Sequence, residues 1–270
     1  MFIVKVPGVN GVSDTSGCRN VSNSIIRELR KIQRSEEGKI TDMSLVDLEE
    51  IHVDNSNLEE ADELIFNNSL ETFQTRPKTI FLGGDHSITY STSLAFLGHC
   101  RKTGKEPCLI VFDSMPNCRK DSKNEFPDNE NWLRKIVNNG FNGNNILLVG
   151  TRSYSSDELD FLKNNRIKVV SMNQFVEDIQ DTCDFVMEFS NGKETYVSID
   201  ASVVDSAFIP SSTHHEPGGF TGREIIYLIQ RLSKIKNLRA VDLVEINTGS
   251  SEKKEDMSLK MGAKIISEIL

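Results

Sequence analysis

The chain has 270 residues, of which 37% are hydrophobic and 26% charged, an ordinary globular composition that excludes a disordered chain. Its 31 basic and 40 acidic side chains give a formal net charge of −9, and this acidic balance disfavours nucleic acid or an anionic membrane as the main partner. Neither a long uncharged apolar run nor a signal-peptide pattern is present, so we expect neither a membrane span nor export.

Apolar segments alternate with segments of helical spacing along the whole chain. The predicted strands are Phe2–Val6, Glu49–Val53, Thr79–Leu82, Leu109–Phe112, Asn145–Val149, Lys168–Val170, Tyr196–Ile199 and Ala240–Val244. The predicted helices are Val21–Gln33, Leu58–Phe73, Ser87–Leu97, Glu130–Asn138, Ser156–Lys163, Met172–Phe189, Gly222–Leu232 and Met257–Ile269. This alternation predicts a single domain, residues 1–270, with a three-layer α/β fold around a mainly parallel eight-stranded sheet.

Two local signals support this organisation. Thr221 followed by Glu224 predicts a capping box at the start of a helix. The polar segment Cys118–Asn129 is long for a connection inside a domain, and long loops often serve a function.

The five cysteines are widely spaced and form no C-x-x-C pair. An odd number of scattered cysteines predicts reduced thiols in a cytoplasmic protein rather than a disulfide framework or a zinc-thiolate site. They are Cys18, Cys100, Cys108, Cys118 and Cys183.

Polar clusters follow four of the predicted strands, at Gly83–Ser87, Asp113–Asn117, Asp200–Ser202 and Glu245–Asn247. Ligands of open α/β sheets bind at the carboxyl ends of the strands. Each cluster alone has a structural explanation, since a strand-end aspartate often caps a helix and a histidine often bonds to backbone. Their occurrence at four strand ends favours a shared site.

These segments carry a resemblance to a known family. FLGGDHSITYS resembles the GGDHS motif of the ureohydrolase superfamily, which comprises arginases, agmatinases and formimidoylglutamases. VFDSMPNC is similar to that family's D-A-H-x-D segment, SIDASVVDSAFIP to its S-x-D-x-D-x-x-D-P segment, and VDLVEINTG to its D-x-V-E-x-N-P segment. The resemblance covers nearly the whole chain and implies an arginase-like fold.

The resemblance also implies six ligand positions for two Mn²⁺ ions, and this chain departs from three of them. The positions fall on His86, Asp113, Met115, Asn117, Asp200 and Ser202. A histidine is replaced by Met115, and aspartates by Asn117 and Ser202. Mn²⁺ prefers carboxylate, imidazole and water to a thioether, and the two remaining aspartates balance the charge of one divalent ion at most. We therefore expect the dinuclear centre to be lost.

Two states of the remaining site stay open. His86, Asp113, Asn117 and Asp200 match the ligand set of one family metal, for which Mn is the best candidate, because asparagine can coordinate through its carbonyl oxygen. Without a metal, Asp113 and Asp200 would face each other, and a shared proton or a contact with lysine, water or His86 would relieve the repulsion.

Several further residues lie in or near these motifs. Glu245 matches the acid that faces the guanidinium or amidine group of family substrates, a pairing that suits a carboxylate. Asn129 stands where the family often has a histidine, and asparagine does not shuttle protons near neutral pH. We expect His214-His215 to be a solvated loop pair and Cys118 to be a buried, unreactive thiol.

The sequence therefore supports two functional hypotheses. In the first, the chain has little or no amidinohydrolase activity and serves a binding, regulatory or assembly role, either as a homo-oligomer (trimer or hexamer) or with an active relative. In the second, it is a hydrolase that uses one metal ion to act on a C–N bond of a linear amidine or guanidino substrate.

Overall fold

The structure, a computed structural model, describes residues 1–120, 126–249 and 256–270. Within these residues, one sheet contains eight strands, and every neighbouring pair is parallel. The strands are β1 (Phe2–Val6), β2 (Asp47–Glu50), β3 (Thr79–Gly83), β4 (Pro107–Phe112), β5 (Ile146–Thr151), β6 (Lys168–Ser171), β7 (Glu194–Asp200) and β8 (Leu238–Val244). Their order across the sheet is β2-β1-β3-β8-β7-β4-β5-β6.

Helices cover both faces of the sheet. They are α1 (Val21–Leu29), α2 (Leu58–Thr75), α3 (Ile88–Thr103), α4 (Trp132–Asn138), α5 (Ser156–Asn164), α6 (Met172–Glu177), α7 (Ile179–Phe189), α8 (Gly222–Leu232) and α9 (Met257–Ile269). One core lies between the sheet and α1 and α6 to α9, and a second lies beneath α2 to α5. The three-layer α/β fold with a parallel eight-stranded sheet is confirmed.

The cores explain the long apolar runs of the sequence. Successive residues of one strand enter opposite cores: in β4, Ile110 packs in the first core and Val111 in the second. A strand that buries both faces needs apolar residues at every position. Among the described residues, we find no helix long and apolar enough to cross a membrane.

Several predicted element bounds are wrong. The predicted helix Met172–Phe189 is two helices, because the Asp178 side chain accepts hydrogen bonds from the backbone N–H groups of Gln180 and Asp181 and so begins α7 anew. The predicted strand Glu49–Val53 is displaced, since the pairing with β1 runs from Asp47 to Glu50. Helix α1 ends at Leu29 rather than Gln33.

Two other local predictions have different outcomes. The capping box of Thr221 and Glu224 is confirmed at the start of α8. The long polar loop Cys118–Asn129 is only partly described, because residues 121–125 lie outside the described residues.

Candidate functional site

Four acidic or imidazole side chains meet at the carboxyl edge of the four central strands. His86 follows β3, Asp113 follows β4, Asp200 ends β7 and Glu245 follows β8, and these strands are neighbours in the order β3-β8-β7-β4. All four residues are almost fully buried. The polar clusters noted in the sequence therefore form one site.

Three of these side chains point at one position. His86 Nδ1 lies 3.0 Å from Asp113 Oδ2 and 3.0 Å from Asp200 Oδ2. Asn117 joins them from a left-handed backbone conformation with φ of 49°. Its Nδ2 is 2.5 Å from Asp113 Oδ2 and 3.1 Å from His86 Nδ1. We call His86, Asp113, Asn117 and Asp200 the central cluster.

In the structure, His86 itself bridges the two carboxylates. Burial lowers the pKa of His86, but hydrogen bonds and the charges of Asp113 and Asp200 outweigh burial and raise it well above its usual value. Burial, and then the charge of Asp200, raise the pKa of Asp113 to about 6, although His86 opposes this rise. Burial also disfavours ionised Asp200, yet contacts with His86 and Ser202 lower its pKa overall. Of the contacts that would relieve the repulsion between Asp113 and Asp200, the structure contains the one with His86.

A chain of buried hydrogen bonds supports the other side of the His86 ring. His86 Nε2 lies 2.9 Å from Ser198 Oγ, which donates to Asp242 Oδ1 at 2.6 Å. When Asp242 is ionised, the single hydroxyl proton of Ser198 goes to Asp242, and His86 Nε2 then donates a proton of its own to Ser198 Oγ. Trp132 packs against the imidazole, with ring centroids 4.7 Å apart. Contacts at Nδ1, at Nε2 and on the face of the ring therefore fix the orientation of the His86 imidazole.

This supporting chain of hydrogen bonds was not predicted from the sequence. The available signal was Asp242, an acid inside the apolar run AVDLV, because a buried carboxyl group requires partners. Ser198, His86 and Asp200 have the connectivity of a Ser–His–Asp triad, but Ser198 is fully buried and donates to Asp242. We therefore assign Ser198 a structural role rather than that of a nucleophile.

The substituted positions Met115 and Ser202 lie on the far side of Asp113. The Met115 N–H donates to Asp113 Oδ1 at 2.9 Å, and Ser202 Oγ donates to the same oxygen at 3.2 Å. Ser202 Oγ also lies 2.8 Å from the hydroxyl of Ser114. These groups supply neutral hydroxyls and a thioether where a second Mn²⁺ needs imidazole and carboxylate. The residues present do not fit a second ion.

One divalent cation does fit the central cluster. One ligand atom from each of His86, Asp113 and Asp200 lies within 4.8 Å of the other two, and imidazole and carboxylate are ligands that Mn²⁺ prefers. The carboxylates of Asp113 and Asp200 balance the charge of one such ion. For this ion, Asn117 has to offer Oδ1 in place of Nδ2.

Glu245 presents an unused oxygen beside the central cluster. Its backbone is left-handed, with φ of 65°, and its side chain is fully buried. Oε1 accepts hydrogen bonds from the His86 N–H at 2.8 Å and from Asn129 Nδ2 at 3.2 Å, whereas Oε2 has no partner among the described residues. Burial raises the pKa of Glu245 to about 8, and the charges of Asp200 and Asp85 add to this rise.

The remaining sequence-predicted residues lie around this site or apart from it. Asn129 contacts Glu245 and also lies 3.3 Å from His214 Nε2, so both border the site. His215 is exposed and belongs to the loop. Cys118 is buried near Glu158, and burial raises the pKa of its thiol far above the usual range. An un-ionised, inaccessible thiol is not a nucleophile.

The fold and the cluster define an α/β protein with a potential cation site at the carboxyl edge of a parallel sheet. The model of the arginase family matches residues 1–270, and the chain belongs to that family. It is 26% identical over 245 residues to the mitochondrial arginase of Medicago truncatula, covering 87% of this chain and 70% of the relative. It is 27% identical over 179 residues to an agmatinase of Pyrococcus horikoshii, covering 66% and 58% of the two chains.

Solved structures agree on the fold. The formimidoylglutamase of Bacillus subtilis superposes with a TM-score of 0.88 at 20% identity, covering 99% of this chain and 84% of the other. Proclavaminate amidino hydrolase of Streptomyces clavuligerus gives 0.87 at 20% identity, covering 99% and 89%. The arginase-like fold is thus confirmed.

Proposed function

We propose that this chain is an arginase-family protein with little or no dinuclear amidinohydrolase activity and with a binding, regulatory or assembly role. The observation that carries the proposal is the pair Met115 and Ser202 beside Asp113, which offers a second Mn²⁺ neither imidazole nor carboxylate. Hydrolysis by hydroxide bridging two metals, which the family resemblance implies, has no place to occur here.

Glu245 supports retention of a ligand. Its buried Oε2 has no hydrogen-bond partner among the residues that the structure describes, and an unsatisfied buried acceptor costs about 1–3 kcal/mol, which a donor N–H group would recover. A planar guanidino or amidine cation presents such donors, and its charge would favour the ionised carboxylate, whereas burial alone favours protonated Glu245. We propose a small cationic ligand of this class at Glu245.

A hydrolysis assay tests the lead proposal. Purified protein with added Mn²⁺ is given arginine, agmatine or formimidoylglutamate, and release of urea or formamide is measured. We expect no release above a protein-free blank, and robust turnover would contradict the proposal.

A restoration experiment tests the reason for the loss. The triple variant Met115→His, Asn117→Asp and Ser202→Asp restores an imidazole and two carboxylates, and we expect it to bind Mn²⁺ in calorimetry. A matched variant, Met115→Gln with Asn117→Asp and Ser202→Asn, has similar bulk but only one added carboxylate. Because Asn117→Asp is common to both variants, the number of ions per chain is compared, and the same number for both would count against the assigned ligand positions.

The second candidate function is a hydrolase with one metal ion, and the meeting of His86, Asp113 and Asp200, whose ligand atoms lie within 4.8 Å of one another, favours it. His86, Asp113, Asn117 and Asp200 would hold the ion, while Glu245 would orient a linear amidine or guanidino substrate. When bound, such an ion lowers the pKa of a coordinated water. The protein itself supplies the buried setting and the fixed His86 ring.

Metal content after dialysis separates the two candidates. The one-ion hydrolase requires about one ion per chain, and added Mn²⁺ must then raise the midpoint of thermal unfolding, because a ligand of the native state stabilises it. Less than about a tenth of an ion per chain with no thermal shift would exclude it. Asp113→Asn, which removes one charge from the cluster, is the control for specific binding.

We further propose a cytoplasmic location and an oligomeric state. All five cysteines are free and buried, which suits a reducing compartment. The trimer or hexamer, or a mixed assembly with an active relative, stays a prediction that light scattering of the purified chain, alone and with that relative, would check.

A further inference from the structure

Asn117 is fixed so that its side chain enters the central cluster. Its carbonyl oxygen accepts a hydrogen bond from the Leu133 N–H in the first turn of α4. With φ of 49°, its backbone adopts a conformation that asparagine tolerates better than most residues. The residue is 3% exposed. The amide therefore acts on Asp113 rather than on solvent.

The two ends of this amide have opposite electrostatic effects. With Nδ2 inward, it donates to Asp113 Oδ2 at 2.5 Å and lies 3.1 Å from His86 Nδ1. With Oδ1 inward, it would face the Asp113 carboxylate with a second acceptor, an arrangement that is unfavourable unless a cation or a proton lies between the two oxygens. An aspartate at this position has no inward N–H to offer and adds a negative charge.

We propose that the Asn117 amide, beside the His86 ring that bridges Asp113 and Asp200, takes over part of the role of a bound cation: Nδ2 donates to Asp113 when no ion is bound, and rotation of the amide offers Oδ1 when an ion binds. This inference rests on the proposed loss of the dinuclear centre and names what replaced it. An incoming ion has to displace the Asn117 hydrogen bond. Folding is therefore independent of metal, and any ion binds weakly and reversibly.

Thermal unfolding of the whole chain in EDTA and in excess Mn²⁺ tests this role. Asn117→Asp replaces the donor by a carboxylate, so we expect its midpoint in EDTA to fall by about 4–8 °C relative to the native sequence. Excess Mn²⁺ should recover most of that loss and shift the native sequence much less. We expect calorimetry to give at least about tenfold tighter Mn²⁺ binding to Asn117→Asp, since ligand charge sets affinity.

Two control variants separate this role from a general effect of mutation. Asn117→Ala removes the donor without adding charge, so its midpoint should fall in EDTA and stay low with Mn²⁺. Asn67→Asp makes the same chemical change at an exposed position of α2 and should change neither midpoint. Equal midpoints of Asn117→Asp and the native sequence in EDTA, or equal shifts with Mn²⁺, would overturn the inference.

Nuclear magnetic resonance of the native sequence tests the same inference and does not depend on whether a variant folds. In EDTA, the side-chain NH₂ protons of Asn117 should exchange with water at least about 100-fold more slowly than those of Asn67. Exchange at the same rate would overturn the inference. Hydrolysis by the native protein would instead overturn the proposed function, and the two failures are therefore distinguishable.

Discussion

Asp242 supports the orientation of the His86 ring, although it occupies none of the ligand positions. Its carboxyl group accepts hydrogen bonds from the hydroxyls of Thr89, Tyr196 and Ser198, and through Ser198 it reaches His86. Burial raises the pKa of Asp242, while these donors oppose the rise. This series of hydrogen bonds fixes the orientation of the His86 imidazole.

Tyr196→Phe removes one of these donors and little volume. A hydrogen bond to a charged group contributes about 1.5–3 kcal/mol, and we expect a loss of that size in the free energy of unfolding, measured in urea. Tyr154→Phe is the control, because its hydroxyl donates to the Thr151 carbonyl at a partly exposed position. A loss no larger for Tyr196→Phe than for Tyr154→Phe would contradict the assigned role of Asp242.

At the residue scale, the residues of the site could be predicted from the sequence, whereas their hydrogen-bond partners could not. Strand ends and motifs brought His86, Asp113, Asp200 and Glu245 together, because parallel strands place their carboxyl ends at one edge. Hydrogen-bond direction was beyond sequence reasoning. Which end of the Asn117 amide faces Asp113 depends on distances between residues of different elements.

At the scale of elements, the contact between α2 and α3 contains an acid whose ionised form destabilises the fold. Asp62 of α2 accepts a hydrogen bond from Ser91 of α3 at 3.0 Å. Burial nevertheless raises the pKa of Asp62 to about 6, above the value of 3.8 expected in the unfolded chain. The folded state therefore favours protonated Asp62. Its charge destabilises the fold above pH 6, and this penalty disappears below about pH 4.

We expect Asp62→Asn to stabilise the protein at pH 7 and not at pH 4. Partial exposure of Asp62 reduces the penalty, so the expected gain at pH 7 is about 1–2 kcal/mol. Urea unfolding at both pH values measures it. Asp160→Asn on the exposed side of α5 serves as control and should show no such gain. A gain of equal size at both pH values would mean that ionisation of Asp62 is not its cause.

Element types were predictable from the sequence, whereas some ends were not. Apolar runs and helical spacing placed all eight strands of the described sheet, since these patterns report which faces are buried. The division between α6 and α7 depends on one side chain, Asp178, which bonds to the backbone ahead of it. Because the helical spacing of apolar residues continues across this position, that spacing does not reveal the break.

At the scale of the whole molecule, all five cysteine thiols are enclosed. Burial raises the pKa of Cys100 and Cys108 to about 12 and that of Cys183 to about 11. The thiolate is the reactive form. We expect Ellman's reagent to label fewer than one thiol per native chain rapidly at pH 8, and all five after unfolding in guanidinium. Rapid labelling of the native chain would contradict this burial.

The position of β8 has a consequence for how the protein is made. This strand, Leu238–Val244, is the last of the described sheet in chain order, yet it lies between β3 and β7. Until it is synthesised, the described sheet consists of two separate halves, β2-β1-β3 and β7-β4-β5-β6. Contacts so distant along the chain slow folding and leave strand edges open. The segments that carry His86 and Asp200 can therefore be joined in one sheet only after residues 238–244 have been synthesised, and until then the facing edges of β3 and β7 stay unpaired with β8.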